Sequence, residues 1–476
     1  MGLLDFLSGS NEKECSQKDC HPQMFCYQCE MSLPEGCGAH GETKGTCGKT
    51  ATTARLQDIM IFGLKGLAAY REHARELIDM HPNNEDVKKL IEIDDIMSET
   101  LYFTLTNVNF NFDEHIAQLM KVGKAGVKVM DLLSNNHTCT LGTPTPVEVT
   151  QNKAEGKAIL ISGHNLDMLQ KLLKRIEERG LSDKINVYTH SEMLPAHAYP
   201  ELRKYKNLKG NIGGAWFDQT DVFSKWNGTC VVNTNCIVPP TKSKKVANYI
   251  DRLYTYKIVG IDGAKKIEND NFDPLIDHTL ELPEVTGFES DATLTTGHHY
   301  KTILTLAPAI LDAINSGKIK RFWVIAGCDA PGKGRDYFRE LAQRVPEDHV
   351  IITSSCGKFR FNDIDFGNVP GTEIPRYLDL GQCNDSNGAV HIALALAEAL
   401  NVENVNDLPI SIALLWMEQK AVLILLALLY LGIKDIYIGP NAPQFVNEDI
   451  FNFLNENFNL NVISDIEKDF GEDLGV

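Results

Sequence analysis

Two sets of residues in this chain have the types and spacing to do chemistry. The first is Cys26, Cys29, Cys37 and Cys47, a Cys-x2-Cys-x7-Cys-x9-Cys array in the Gly-rich segment FCYQCEMSLPEGCGAHGETKGTCGK. Thiolates so spaced bind zinc or an iron–sulfur cluster, and spacing alone leaves both open. Backbone N–H groups of such a compact segment can hydrogen-bond to cluster sulfurs. A redox site elsewhere in the chain favours an electron-relay cluster.

The second set is scattered in sequence but shares one structural position. KAILIS is followed by Gly163-His164-Asn165, and INVYT by His190-Ser191-Glu192. TCVVNT leads to Asn235-Cys236, RFWVIA to Gly327-Cys328-Asp329, and HVIITS to Ser355-Cys356-Gly357. RYLDL leads to Gly381-Gln382-Cys383, and ISIALL to Trp416-Met417-Glu418. Each apolar run reads as a strand, and ligands of open parallel sheets sit beyond the carboxyl ends of the strands. A lone cysteine after a strand is most often a small core residue. Four cysteines with a histidine and two carboxylates in that same position form a mixed set: thiolates suit iron–sulfur chemistry, while His and Glu suit an oxygen-bridged or open iron. Gly163, Gly327, Gly357 and Gly381 would let backbone approach a bulky group, although ordinary turns use glycine too.

The last strand end raises its own question. Glu418, Gln419 and Lys420 lie inside the apolar run 411–433. A buried charge must be paired or metal-bound. The run divides into a strand followed by a buried helix, so Glu418 opens the helix where its carboxylate can reach a metal. Lys420 is two residues on and shares no helix face with Glu418. Turned inward, it can supply a proton or hold an anion; otherwise it pairs with another carboxylate. Gln419 faces away or caps a turn.

The elements that must position these residues follow from pattern. Residues 1–23 are polar and form a loose extension. From 24 to 149 the periodicity is helical: TARLQDIMIFGLKGLAAYREHARELI places Leu56, Ile59, Met60, Leu64 and Leu67 at helical spacing, and further helix follows through 85–104 and 113–134. From 150 the texture becomes strand, turn, helix, repeated, with strands expected at 157–162, 185–189, 229–234, 256–261, 321–326, 349–354, 376–380, 410–415, 435–439 and 459–464. The fold class is therefore α/β: an N-terminal helical bundle, then two doubly wound Rossmann-like domains, 150–295 and 296–476, with a metal cluster between them.

The 476 residues carry a net charge of −18, which argues against nucleic-acid binding and serves solubility or docking to a basic electron carrier. The start lacks the pattern of a secretory signal, and Phe6 stands where myristoylation needs Ser or Thr. Charges inside 411–433 argue against a membrane span. A cytoplasmic protein is expected, and twelve cysteines there point to metal or redox chemistry rather than disulfides.

The segments MFCYQCEMSLPEGCG, LQDIMIFGLKGLA, SGHN, HSEMLPAHAYPEL, TNCIVPP, GCDAPGKGRDYF, SSCGKFRFN and MEQKAVLILLALLYLGIKDIYIGP resemble the hybrid cluster (prismane) proteins from about residue 24 to the C-terminus. The resemblance implies that Cys26, Cys29, Cys37 and Cys47 hold a 4Fe-4S cluster, or a two-iron cluster as in some members. It implies a hybrid 4Fe-2O-2S type cluster held by His164, Glu192, Cys236, Cys328, Cys356, Cys383 and Glu418, with a persulfide on Cys328. These are the seven residues that the strand ends select. The chain looks like a compact subgroup lacking the second helical bundle that longer members carry between 100 and 150. Its extension with Cys15 and Cys20 lies outside the family pattern, and the Cys37–Cys47 spacing is longer than expected. Cys139 and Cys230 have no role in that pattern and read as buried free thiols.

The resemblance further implies reduction of small nitrogen species in an anaerobe under nitrosative stress: hydroxylamine to ammonia, and nitric oxide to nitrous oxide. Glu192, Glu418, Lys420 and Cys328 would be the catalytic residues, with Glu192 moving on and off iron and His190 and His197 as proton-relay candidates. The chain shows no flavin or nicotinamide domain, so a ferredoxin or flavoprotein reductase would supply electrons. The rival readings are a nitric oxide sensor or protein S-nitrosylase, a nickel-dependent carbon monoxide dehydrogenase, and a structural zinc protein.

Overall fold

Asparagine and threonine caps start the three helices that open the fold. Thr50 accepts from the Thr53 N–H ahead of α1 (Ala51–Met80), Asn83 from Asp86 ahead of α2 (Asn84–Phe103), and Asn111 from Glu114 ahead of α3 (Phe112–Leu141). The computed structural model describes residues 25–476 apart from 33, 35, 39–42, 241–247 and 416–417. The extension 1–23, with Cys15 and Cys20, and the pair Trp416 and Met417 lie outside the described residues.

Two six-stranded sheets follow. The first contains β2 (Lys157–Ser162), β3 (Ile185–His190), β4 (Leu208–Asn211), β5 (Thr229–Val232), β6 (Leu253–Tyr256) and β7 (Lys265–Ile267), in spatial order β4-β3-β2-β5-β6-β7. The second contains β9 (Arg321–Ala326), β10 (His349–Thr353), β11 (Tyr377–Asp379), β12 (Ile410–Leu414), β13 (Ile436–Ile438) and β14 (Asn461–Val462), in order β11-β10-β9-β12-β13-β14. Every pairing in both is parallel. Counted within each sheet the order is 3-2-1-4-5-6, the doubly wound dinucleotide-fold order, whose crevice opens between the first and fourth strands. Burial on both faces explains why the strands read as continuous apolar runs; β10 is buried throughout. A two-stranded antiparallel ribbon, β1 (Val147–Thr150) with β8 (Thr293–Thr296), ties the segments that precede the two sheets.

The expected strands all appear, β2 and β9 with the expected bounds and the others with shifted ones, together with four companions. The strand expected at 256–261 lies at 253–256 because Lys257 takes φ 49° and ends it. The short β1, β4, β7 and β8 were not anticipated. The polar stretch 265–298 holds β7, a helix at Asp273–Glu281 and β8.

The apolar run at 411–433 resolves as β12 and the helix Gln419–Tyr430, which is buried between α1 and α3. Glycines bring the backbones together. A Cβ on Gly66 would stand 2.5 Å from the Gln419 carbonyl oxygen, and one on Gly123 would meet the Leu426 carbonyl. Among the described residues, no helix is long and apolar enough to cross a membrane.

Candidate metal-cluster site

Matched ends of the two sheets carry the candidate ligands. First strands β2 and β9 are followed by His164 and Cys328, and second strands β3 and β10 by Glu192 and Cys356. Third strand β11 is followed by Cys383, and fourth strands β5 and β12 by Cys236 and Glu418. Both switch-point crevices thus face one site.

The backbone reverses just before most of these ligands. Gly163, Ser191, Gly327 and Ser355 precede His164, Glu192, Cys328 and Cys356, and all four have positive φ (135°, 55°, 116° and 67°). Cys236 itself is at φ 66°. Non-glycine residues there are strained, and such strain concentrates at functional sites. Gly357 is needed for close approach instead: a Cβ there would lie 2.9 Å from the Gly327 carbonyl oxygen.

The seven side chains converge. His164, Glu192 and Cys383 place ligand atoms within 4.8 Å of one another, the only such group among the described residues. His164 Nε2 is 3.6 Å from Glu192 Oε2, which accepts from the Cys383 backbone N–H at 2.8 Å. Cys328 Sγ donates to Glu418 Oε1 at 3.0 Å. Cys356 Sγ is 3.2 Å from Ser191 Oγ, and Cys236 Sγ accepts from Asn235 Nδ2 at 3.4 Å. All but the half-buried Cys236 are buried.

Glu418 has two functions. Its Oε1 caps the Gln419–Tyr430 helix by accepting from the N–H groups of Lys420 (2.8 Å) and Ala421 (3.1 Å). The helix therefore starts one residue before Lys420, whose side chain turns inward to donate to His164 Nε2 at 2.9 Å. Gln419 is half-buried. Burial pushes the Lys420 ammonium down, but Cys383, Cys236, Glu418 and Cys328 outweigh it and hold it charged. Burial first, then Lys420, lowers His164 to about 4. Burial pushes the four thiols up, Cys383 to about 11. Glu192 shifts down: burial opposes this, and His164, Lys358 and Lys420 prevail.

These residues fit a metal cluster. Three buried thiols, the half-buried Cys236 and two buried carboxyls lie around Lys420, and His164 Nδ1 and Glu192 Oε1 have no hydrogen-bond partner. Such orphaned atoms are costly unless a further group satisfies them. The cysteine loops are braced from behind by Lys358, which is fully buried with Asp379. Its Nζ donates to Asp379 Oδ1 and to the Gly381 carbonyl, each at 2.7 Å.

Sequence reasoning missed Tyr70 and His73 on α1. The Tyr70 ring lies 5.7 Å from Lys420 Nζ, and its hydroxyl is buried beside Cys383. His73 is held well below its usual range, by burial first and by His164 and Lys420 second. A signal existed: Tyr70 continues the buried stripe of Leu64 and Leu67. The two relay candidates are engaged elsewhere. His190 bonds Ser162 Oγ and His197 bonds Thr189 Oγ1, and burial lowers them to about 3 and about 4. Cys230 is buried as expected, but Cys139 is exposed, at the solvent-facing end of α3.

The first cysteine set also comes together. Cys26 and Cys37 pair across a backbone bridge, and all four cysteines line one small cavity. Gly45 lies beside two of the sulfurs: a Cβ there would stand 3.5 Å from Cys47 Sγ and 3.7 Å from Cys37 Sγ, in ordinary contact with both.

The fold and this buried donor set define a metal-binding α/β protein built from two doubly wound sheets behind a helical bundle. Comparisons agree. The Prismane/CO dehydrogenase family model matches residues 24–114 and 89–471. The chain is 44% identical over 455 residues to the hydroxylamine reductase of Thermotoga maritima (strain ATCC 43589 / DSM 3109 / JCM 10099 / NBRC 100826 / MSB8), covering 95% of this chain and 100% of that one. It is 44% identical over 418 residues to that of Geobacter metallireducens (strain ATCC 53774 / DSM 7210 / GS-15), covering 88% of this chain and 72% of a longer protein. The carbon monoxide dehydrogenase of Thermococcus sp. AM4 shares the fold at a TM-score of 0.73 and 18% identity, covering 96% of this chain and 91% of that one. The chain belongs to the Prismane/CO dehydrogenase family, as a hybrid cluster (prismane) protein and an iron–sulfur oxidoreductase.

Proposed function

We propose that this protein reduces hydroxylamine to ammonia and water, and nitric oxide to nitrous oxide. His164, Glu192, Cys236, Cys328, Cys356, Cys383 and Glu418 would hold the hybrid 4Fe-2O-2S type cluster that supplies this chemistry, with Cys328 as a persulfide. The supporting observation is the mixed donor set at one buried point, in a chain 44% identical to proteins named hydroxylamine reductase. When bound, the cluster supplies electrons and an open iron position. Cys26, Cys29, Cys37 and Cys47 would hold a 4Fe-4S cluster, which would supply an electron relay from a separate ferredoxin or flavoprotein reductase. The redox reading of the buried site supports a cluster over a single zinc at these four cysteines, which line one small cavity.

The chain's own residues bind, orient and protonate. Each reaction consumes two electrons and two protons and releases water. Lys420, charged and 2.9 Å from His164, holds an oxygen that gains negative charge and returns a proton to it. Glu192 keeps Oε2 on the Cys383 N–H and leaves Oε1 unpartnered, so one oxygen anchors while the other engages and releases. The apolar bundle excludes bulk water. We further propose domains at 24–149, 150–295 and 296–476, and a cytoplasmic location.

The test is anaerobic purification with iron, nickel and sulfide analysis, then assays for ammonia from hydroxylamine and nitrous oxide from nitric oxide. About eight irons without nickel, with turnover, fit the proposal. About four irons, or nickel near one per chain with carbon monoxide oxidation, overturn it. Nitric oxide binding without nitrous oxide production would indicate a sensor or S-nitrosylase.

A further inference from the structure

The four cysteines of the site do not have equivalent surroundings. Cys356 Sγ lies 3.2 Å from Ser191 Oγ. A ligating thiolate has no proton to give, so in the loaded protein Ser191 must be the donor. The Trp216 backbone N–H points at the same sulfur. Cys236 accepts from Asn235 Nδ2 at 3.4 Å. Cys383 lies beside the Tyr70 hydroxyl, which is buried and has no hydrogen-bond partner, so its proton is free to turn to that sulfur. Cys328 differs: its bonded neighbour is the Glu418 carboxylate, an acceptor when ionised.

We propose that Ser191, Asn235 and Tyr70 are redox-tuning residues, raising the reduction potential of the buried cluster by donating neutral hydrogen bonds to the sulfurs of Cys356, Cys236 and Cys383. The inference rests on the reading that these cysteines hold an iron–sulfur cluster. Hydrogen bonds to cluster sulfurs favour the more negative, reduced state, and bonding around the ligands is one of the protein's levers on potential. The lever is needed here. Four thiolates and two carboxylates face the ammonium of Lys420, Lys358 being paired with Asp379, and added electrons are hard to place in so anionic a buried site. Uncharged donors relieve this without adding a buried charge.

The donors are also held rigidly. Ser191 keeps φ 55° between β3 and the short helix Ser191–Ala198, a strained conformation that aims its hydroxyl across to the second sheet. Tyr70 is anchored in the buried stripe of α1. Two of the three donor–sulfur pairs cross between parts of the fold. Cys356 and Cys383 come from the second sheet, while their donors come from the first sheet and the helical bundle.

The test uses the anaerobically purified, cluster-loaded protein and the variants Ser191→Ala, Ser191→Gly, Asn235→Ala and Tyr70→Phe. Iron and sulfide are counted first, and the midpoint potential of the buried cluster is then titrated by its paramagnetic signal. Each variant should hold wild-type iron and shift to lower potential. The expected change is about tenfold in the reduced-to-oxidised ratio at fixed poise, about 59 mV for one electron. The Ser191→Ala/Tyr70→Phe pair should shift by nearly the sum, because the donors serve different sulfurs. Ser191→Gly separates bonding from strain: it relieves the positive φ and still lacks the hydroxyl, so it must shift as Ser191→Ala does. Unchanged potentials at full iron overturn the inference and leave the cluster assignment standing. Variants that fold but lose iron overturn it too, since those residues would then only hold the site together. A wild-type protein without iron beyond the first cluster would instead refute the assignment beneath it.

Discussion

Gly66→Ala tests whether the packing of the buried helix sets the geometry of the site. The new Cβ would stand 2.5 Å from the Gln419 carbonyl oxygen and 3.0 Å from Lys420 Cα, where ordinary contact begins at 3.4 Å. Both neighbours are backbone, so the start of the helix must move by roughly 1 Å, carrying Glu418 and Lys420 with it. A misplacement of that size at a catalytic group costs up to about 100-fold in rate. The cost in stability is smaller. Overpacking destabilises by about 1–3 kcal/mol, and alanine in place of glycine inside α1 returns about 1 kcal/mol. The matched control is Gly63→Ala, one turn earlier. Its Cβ meets only the Leu426 Cδ1 methyl at 3.1 Å and Val122 Cγ1 at 3.4 Å, atoms that can give way. Gly63→Ala should keep its rate and melt at or slightly above the wild-type temperature. Gly66→Ala should lose at least tenfold in hydroxylamine turnover per iron-loaded chain, with a modest fall in melting temperature. Equal rates in the two variants would refute the claim that this contact positions Glu418 and Lys420.

Glu418→Gln keeps an oxygen to cap the helix but removes a carboxylate. It should melt within about 1 kcal/mol of wild type yet lose iron from the buried site, whereas Glu418→Ala should forfeit a further 1 kcal/mol or so of cap energy, read by thermal unfolding. Lys358→Met strands a buried Asp379 carboxylate that keeps only Thr296 Oγ1 and the Gly381 N–H; a loss of about 3–5 kcal/mol is expected in denaturant unfolding, with partial recovery in Lys358→Met/Asp379→Leu. His137 and His197 have folded pKa values of about 4, below the unfolded 6.5, so the unfolded chain takes up protons first. Their contribution, up to about 3 kcal/mol each, is full above pH 6.5 and is lost as pH falls toward 4. His197→Gln should therefore flatten the fall in melting temperature between pH 6.5 and 4.5, and an unchanged slope would remove His197 from the account.

The strand-end residues were legible because a parallel sheet leaves a strong pattern: an apolar run buried on both faces, then a tight turn at the edge where ligands collect. HVIIT followed by Ser355-Cys356 shows both parts. β4, with the sequence LKGN, shows neither, being short and partly polar, and exists because β3 offers it a partner. The β6 boundary depended on a left-handed Lys257, which no composition signals. Lys420 depended on where the helix begins: two residues from Glu418 means opposed faces within a helix, but Glu418 is the cap and Lys420 sits in the first turn. Tyr70 and His73 stayed hidden because they reach the site from a helix, to which no strand-end rule applies.

The matched strand order of the two sheets bears on how the protein is made. His164, Glu192 and Cys236 leave the ribosome with the first sheet, well before Cys328, Cys356, Cys383 and Glu418 have been synthesised. The nascent chain therefore exposes an incomplete half-site of one imidazole, one carboxylate and one thiol, three donors that any stray divalent ion could take. If all seven residues hold the proposed cluster, its assembly is complete only after the second sheet has closed over the first, which would make maturation a step after folding.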